Sequence, residues 1–201
     1  YPVDMLELNF SCPNVDDEMG RPFACDAGLT AQATRAVRKV TKKPISVKLS
    51  PNVPNIGLIA QAAEANGADA ITAVNTMGPG MLIDIHMRRP ILANKVGGVG
   101  GMAIYPIAQR CVYEIYQKVK IPIIGTGGII KGADAIAMLM AGATLLGIGS
   151  AIAYNDLKAF DLITDRIRAF LKEEGLSDVS ELVGLAHGDS VDRTKLDKLV
   201  S

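Results

Sequence analysis

The residues able to do chemistry in this sequence gather where short apolar runs end. In Leu8-Asn9-Phe10-Ser11-Cys12-Pro13-Asn14-Val15 a thiol stands between two asparagines. A thiol with an ordinary pKa near ~8.5 can be tuned into a general base. The amides of Asn9 and Asn14 offer donors and an acceptor that suit an imide or amide ring and a carboxylate. The same stretch also reads as a small buried cysteine beside a turn made by Pro13 and Asn14. In Val47-Lys48-Leu49-Ser50-Pro51-Asn52 a lysine sits inside an apolar strand. A buried charge is costly without a partner. That partner is either a bound anion or a strand-end acid such as Glu7. Val74-Asn75-Thr76-Met77-Gly78-Pro79-Gly80 places an amide and a hydroxyl at another strand exit, fit for ligand hydrogen bonds or for a polar turn. Three glycine clusters follow: Gly97-Gly98-Val99-Gly100-Gly101, Gly125-Thr126-Gly127-Gly128 and Gly147-Ile148-Gly149-Ser150. Glycine lets backbone N–H groups approach a phosphate closely, and also makes tight strand-to-helix turns.

Other reactive residues carry less. Cys25 lies in a polar loop 13 positions after Cys12, as an idle thiol or a second candidate base. Cys111 falls in a helical pattern and reads as core. His86 and His187 are the only histidines, and no HxH, HExxH or cysteine cluster points to a metal. Ser11 and Ser50 have no evident histidine partner for a hydrolase triad.

The elements that must hold these residues alternate strand and helix. Apolar runs at 3–10, 44–49, 68–75, 121–125 and 144–148 read as strands. Helical patterns occupy 30–41, 55–66, 104–119, 133–141 and 157–174. These are five β-then-α steps with no hairpin signature between them. Continuous apolar strands separated by helices are expected of a parallel sheet buried on both faces. A doubly wound sheet and a closed (β/α)8 barrel both satisfy this. The GxGxxG pattern of dinucleotide-binding sheets is absent. Two successive glycine-rich ends at late strands match the phosphate-binding loops after barrel strands seven and eight. The barrel is favoured, with the five strands as strands 4–8 and about 100 residues carrying strands 1–3 missing from the start. The whole of 1–201 is read as one partial barrel domain.

Composition narrows the partners. The 201 residues are 49% hydrophobic and 21% charged, with 21 basic against 21 acidic side chains. A net charge of zero gives no support for nucleic acid as a partner. No apolar run reaches the roughly 18–20 residues of a membrane span. Three cysteines without a pairing framework fit a reducing, cytoplasmic compartment.

Taken in order, LNFSCPNV, VKLSPNV, AVNTMGPGM, RRPILANKVGGVGG, IIGTGGI and GIGSAI resemble class 1 dihydroorotate dehydrogenases. The likeness runs from about Leu6 to Ala153, and the ordered set is specific where no single motif is. It implies a TIM barrel that binds FMN and oxidises dihydroorotate to orotate in pyrimidine biosynthesis. Cys12 then resembles the base that takes the C5 proton. Asn9, Asn14, Asn75 and Thr76 resemble substrate ligands, with Asn9 also near the flavin. Lys48 resembles the lysine at the flavin pyrimidine edge, and Val74 a backbone contact to it. Gly101, Gly127, Gly128, Gly149 and Ser150 resemble the ribityl and phosphate cradle. The chemistry resides in the cofactor, while the protein orients it and supplies the base. PILANKVGG resembles the subclass that passes electrons to NAD through an iron–sulfur and FAD subunit, implying a homodimer or a heterotetramer with that subunit. GGVGG instead resembles the fumarate-reducing subclass. The loop EMGRPFACD resembles that of dihydropyrimidine dehydrogenases, in which Cys25 would be the base, although Asn14 stands where that family tends to carry His. A chain lacking strands 1–3 would be a catalytically incomplete barrel.

Overall fold

A computed structural model describes residues 2–11 and 23–188. Nine strands and six α-helices are formed in them: β1 (Leu6–Asn9), α1 (Ala27–Arg38), β2 (Ile45–Leu49), α2 (Ile56–Ala65), β3 (Ala70–Ala73), β4 (Met77–Gly80), β5 (Ile83–Asp84), β6 (Arg89–Pro90), β7 (Gly97–Val99), α3 (Tyr105–Tyr116), β8 (Ile123–Thr126), α4 (Gly132–Met140), β9 (Leu145–Gly147), α5 (Ser150–Asn155) and α6 (Lys158–Glu174).

The main sheet has the order β1-β2-β3-β8-β9, and all four pairings are parallel. Each parallel step forces the chain back across the sheet, and a helix carries it there. Local signals set where those helices begin. The Asp26 carboxylate accepts from Leu29 N at 2.9 Å and opens α1; the Asn55 side chain accepts from Leu58 N at 3.2 Å and opens α2. Both occupy N-cap positions, where they satisfy donors that the first turn leaves over. Gly175, in the left-handed region at φ 70°, ends α6.

The core lies between the sheet and its helices. Ile45, Val47 and Leu49 of β2, Ile71 of β3 and Ile123 of β8 are buried together with Ala108, Cys111, Val112 and Ile115 of α3. Strands β2 and β3 bury both faces almost throughout, as the sequence predicts, but the others do not: β1 and β8 alternate and β9 is partly exposed. Strands β1 and β9 form the two edges of the sheet and each has one neighbour.

One expectation fails outright. Between β3 and α3 the chain does not pass directly to a helix; it leaves the sheet in an antiparallel excursion, with β4 paired to β7 and β5 to β6. These strands are two to four residues long and rich in glycine and proline. They carry neither the alternation nor the two-residue turn by which a hairpin is read from sequence. The short helix α5 is likewise absent from the sequence reading, because six residues give no helical period to detect.

Cys111 sits wholly inside this core, as its helical position predicts. Burial pushes its thiol up to about 11, with Arg110 pulling it down and Glu114 adding to the rise. The folded state therefore keeps a proton that the unfolded chain releases from about 8.5 upward. Its contribution to stability is complete below that value and is lost as pH climbs toward about 11. The urea midpoint is expected to decline over that interval, and a Cys111→Ala variant to show a shallower decline.

Candidate functional site

All five main strands point their C-terminal ends to one side, and the polar strand exits meet there. A cavity of about 160 Å³ opens among Lys48, Val74, Asn75 and Thr76 on one wall and Gly100, Gly101, Thr126, Gly127, Gly128, Gly149 and Ser150 on the other, with Ile104 beside them. The sequence reading singles out nine of these residues: Lys48, Val74, Asn75, Thr76, Gly101, Gly127, Gly128, Gly149 and Ser150. Gly100 and Thr126 were overlooked, although both lie inside glycine clusters already marked. Ile104 has no signal of its own and arrives with the 3-10 turn Gly101–Ile104.

The wall made by β3 is locked from both sides. Val74 N donates to Thr126 O at 2.8 Å, and Asn75 N donates to Leu49 O at 2.9 Å. The Asn75 side chain then reaches β1: its Nδ2 donates to Ser11 Oγ at 2.8 Å, to Asn9 Oδ1 at 3.1 Å and to Ser11 O at 3.3 Å. Its Oδ1 accepts from Thr76 N at 2.7 Å. Asn9 is therefore brought to the site through Asn75, although it does not line the cavity itself. Ser11 Oγ also donates to Asn9 Oδ1 at 3.1 Å. The strand exit of β1 is thus tied to that of β3 immediately before Cys12.

Cys12 and Asn14 lie outside the described residues. Cys25 is half-buried in the 3-10 turn Phe23–Cys25 and is not part of the cavity wall.

Among the described residues, Lys48 is the only ionisable side chain in the cavity lining. Of its two expected partners, the acid is present: Glu7 Oε1 lies 3.8 Å from Lys48 Nζ. No described residue of the cavity wall is an acid, so the wall they form is cationic.

Two of the glycines in the cavity wall, Gly127 and Gly128, leave no room for a side chain. Gly128 has φ 76°, and a Cβ there would stand 2.5 Å from Gly101 O. Gly98, although outside the cavity wall, leaves room for Thr76: a Cβ would fall 2.1 Å from Thr76 Oγ1. Gly100 and Gly101 are less crowded, and a Cβ on Gly149 would meet nothing within 4 Å. Its backbone borders open space in the cavity.

The excursion is fastened beside this wall. Asn52 Nδ2 donates to Gly78 O at 2.8 Å and Gly78 N donates to Asn52 Oδ1 at 3.3 Å. Sequence reading leaves Asn52 without a role, because its partner arrives from the unanticipated excursion.

A cationic cavity with amide and hydroxyl donors on one wall and glycine turns on the other is the arrangement to compare with known proteins. The sequence model of the dihydroorotate dehydrogenase family matches residues 2–171. The chain belongs to that family. It is 47% identical over 185 residues to the protein named dihydroorotate dehydrogenase B (NAD(+)), catalytic subunit, from Methanothermobacter thermautotrophicus, covering 92% of this chain and 61% of that one. The protein of the same name from Alkaliphilus oremlandii is 46% identical over 182 residues, covering 90% and 59%. The chain thus spans about three fifths of these relatives' length. The crystal structure of a dihydroorotate dehydrogenase from Eimeria tenella in complex with ferulenol superposes with a TM-score of 0.75 at 23% identity, over 92% of this chain and 54% of that one. The fold is accordingly that of the family's TIM barrel, of which the five parallel strands form part.

No described helix is long and apolar enough to cross a membrane. Among the described residues no three His, Cys, Asp or Glu side chains group to hold a metal.

The glycine geometry yields a paired prediction. Gly128→Ala is expected to cost at least about 1–2 kcal/mol from its left-handed backbone alone, with the collision against Gly101 added. Gly149→Ala, with open space around it and a backbone at φ −122°, ψ −80° outside the usual β and α regions, is expected to cost less than Gly128→Ala. Chemical denaturation of both variants measures the contrast; equal stabilities would mean that neither the left-handed backbone at Gly128 nor its contact with Gly101 constrains the turn.

Proposed function

We propose that the full-length protein oxidises dihydroorotate to orotate with FMN as hydride acceptor, in pyrimidine biosynthesis. The observation that carries this reading is the single cavity in which Lys48, Asn75 and Thr76 face the glycine turns. Membership of the dihydroorotate dehydrogenase family supports the substrate.

The residues present fit a flavin nucleotide. Gly149 borders space that a side chain would fill, and such a turn lets backbone N–H groups approach a phosphate. Lys48, with no acid among the described residues of the wall around it, suits a group that gains negative charge. When bound, FMN would supply the hydride acceptor for this oxidation. Lys48 would then hold the pyrimidine edge of the flavin and Val74 would meet it through backbone. Gly101, Gly127, Gly128, Gly149 and Ser150 would hold the ribityl chain and phosphate. Asn9, Asn14, Asn75 and Thr76 would hold the substrate, with Asn75 oriented by Ser11 and Asn9 before the substrate arrives. Cys12 would take the C5 proton.

The relatives are named as catalytic subunits of dihydroorotate dehydrogenase B (NAD(+)), which supports an electron-transfer partner subunit over fumarate as acceptor. We extend the proposal to an assembly with such an iron–sulfur and FAD subunit, in the cytoplasm, with residues 1–201 belonging to one FMN-binding barrel domain. The dihydropyrimidine reading rests on Cys25, and that residue's place away from the cavity wall lends it no support.

Anaerobic mixing of the full-length protein with substrate tests the assignment. Dihydroorotate is expected to bleach the flavin absorbance rapidly and dihydrouracil to leave it unchanged. Cys12→Ala is expected to slow bleaching by about 10²–10⁴-fold, the range for loss of a general base. Bleaching by dihydrouracil alone would transfer the assignment to the dihydropyrimidine enzymes, and an unchanged rate in Cys12→Ala would remove the thiol from the mechanism.

A further inference from the structure

Beneath the cavity lies an acid to which the reading above gives no part. Glu7 sits on β1 on the same face as Asn9, two residues earlier, and in register with Ser46 of β2. Its carboxylate spans β2 to reach β3. Oε2 accepts from Thr72 Oγ1 at 2.6 Å, while Oε1 lies 3.8 Å from Lys48 Nζ. Thr72 Oγ1 is also 2.8 Å from Ser46 Oγ. Thr72 has one hydroxyl hydrogen and directs it to the carboxylate, so Ser46 must be the donor in the second bond. The chain therefore runs in one direction, Ser46 to Thr72 to Glu7, and ends on an acceptor that faces the ammonium. Ser46 and Thr72 are 1% and 3% exposed, so these two hydroxyls have no bulk water to turn toward. They fix the carboxylate oxygen they hold, and with it the acid's distance from Lys48.

We infer that Glu7 is a positioning residue for Lys48, which sets both where the ammonium stands and how much positive charge it presents to the cavity. The inference rests on Lys48 facing the flavin, as proposed above. A carboxylate at 3.8 Å cancels part of the lysine's field, and among the described residues no other ionisable group in the cavity wall shares that task. Tied between Thr72 and Lys48, Glu7 is held at a distance that lets the lysine bind an electron-rich ring edge without collapsing onto its own counter-ion.

The test is a redox titration of the bound flavin in the full-length protein, with FMN affinity and thermal midpoint measured alongside. Glu7→Gln keeps the acceptor for Thr72 and removes the charge. It is expected to raise the flavin midpoint potential, favouring the reduced form about tenfold, which is about 30 mV for a two-electron couple. Lys48→Gln is expected to lower the potential. In the Lys48→Gln background the Glu7→Gln shift is expected to be smaller than in the parent, since the carboxylate's own field remains but its positioning of the lysine is gone. Thr72→Val, which leaves the carboxylate in place but frees it to settle on Lys48, is expected to lower the potential and covers the case in which Glu7→Gln does not fold. A parent-like potential in Glu7→Gln or in Thr72→Val, or a Glu7→Gln shift that survives undiminished without Lys48, would overturn the inference. If Lys48→Gln changes neither potential nor FMN affinity, the placement of Lys48 at the flavin fails and this inference fails with it. A shift in Lys48→Gln with none in Glu7→Gln rejects the inference alone.

Discussion

The register of three parallel strands governs this molecule. Asn9 stands opposite Lys48, and Lys48 opposite Thr72. In a parallel sheet a slip by one residue sends every side chain to the opposite face. Such a slip in β2 would drive Lys48 into the layer now filled by Val47 and Leu49 against the helices, and would place an apolar side chain at the cavity. The burial of Ile45, Val47 and Leu49 therefore does more than stabilise the fold. It selects the one alignment in which a lysine, an amide and a hydroxyl reach the same end of the sheet.

Polar groups on the other face reinforce that alignment. Ser46, Thr72 and Glu7 connect β1, β2 and β3 below the cavity, and Asn75 connects β3 to β1 above it. A buried hydroxyl left without a partner costs about 1–3 kcal/mol, so each link penalises a wrong pairing as well as rewarding the right one. Among the described residues no fully buried side-chain polar atom lacks a partner.

Much of this was legible in the sequence because it follows from local rules. Alternation of apolar strands and helical patterns gave the parallel architecture, and the helical patterns at 55–66 and 157–174 match α2 and α6 to within a residue at each end. Lys48 was conspicuous because a charge in an apolar strand requires a reason, and both proposed reasons converge on it: an acid below and a cavity above. Other features were hidden by their dependence on distant partners. Asn52 acquires its role from Gly78, 26 residues away, and Gly98 acquires its role from the bulk of Thr76. The excursion itself was unreadable, since its strands are too short to show a period.

That excursion has two ends of different character from its middle. Its departing strand follows Asn75 and Thr76, its returning strand leads into Gly100 and Gly101, and the two are paired through Met77 with Val99. Both walls of the cavity are therefore continuous with one loop, clamped at its root by Asn52 and by the absence of a side chain at Gly98. Farther out, Leu82, Ile85 and Ile91 are well exposed and touch none of these restraints. A change of length or residue at the tip would therefore leave the pairing of the root and both walls of the cavity in place.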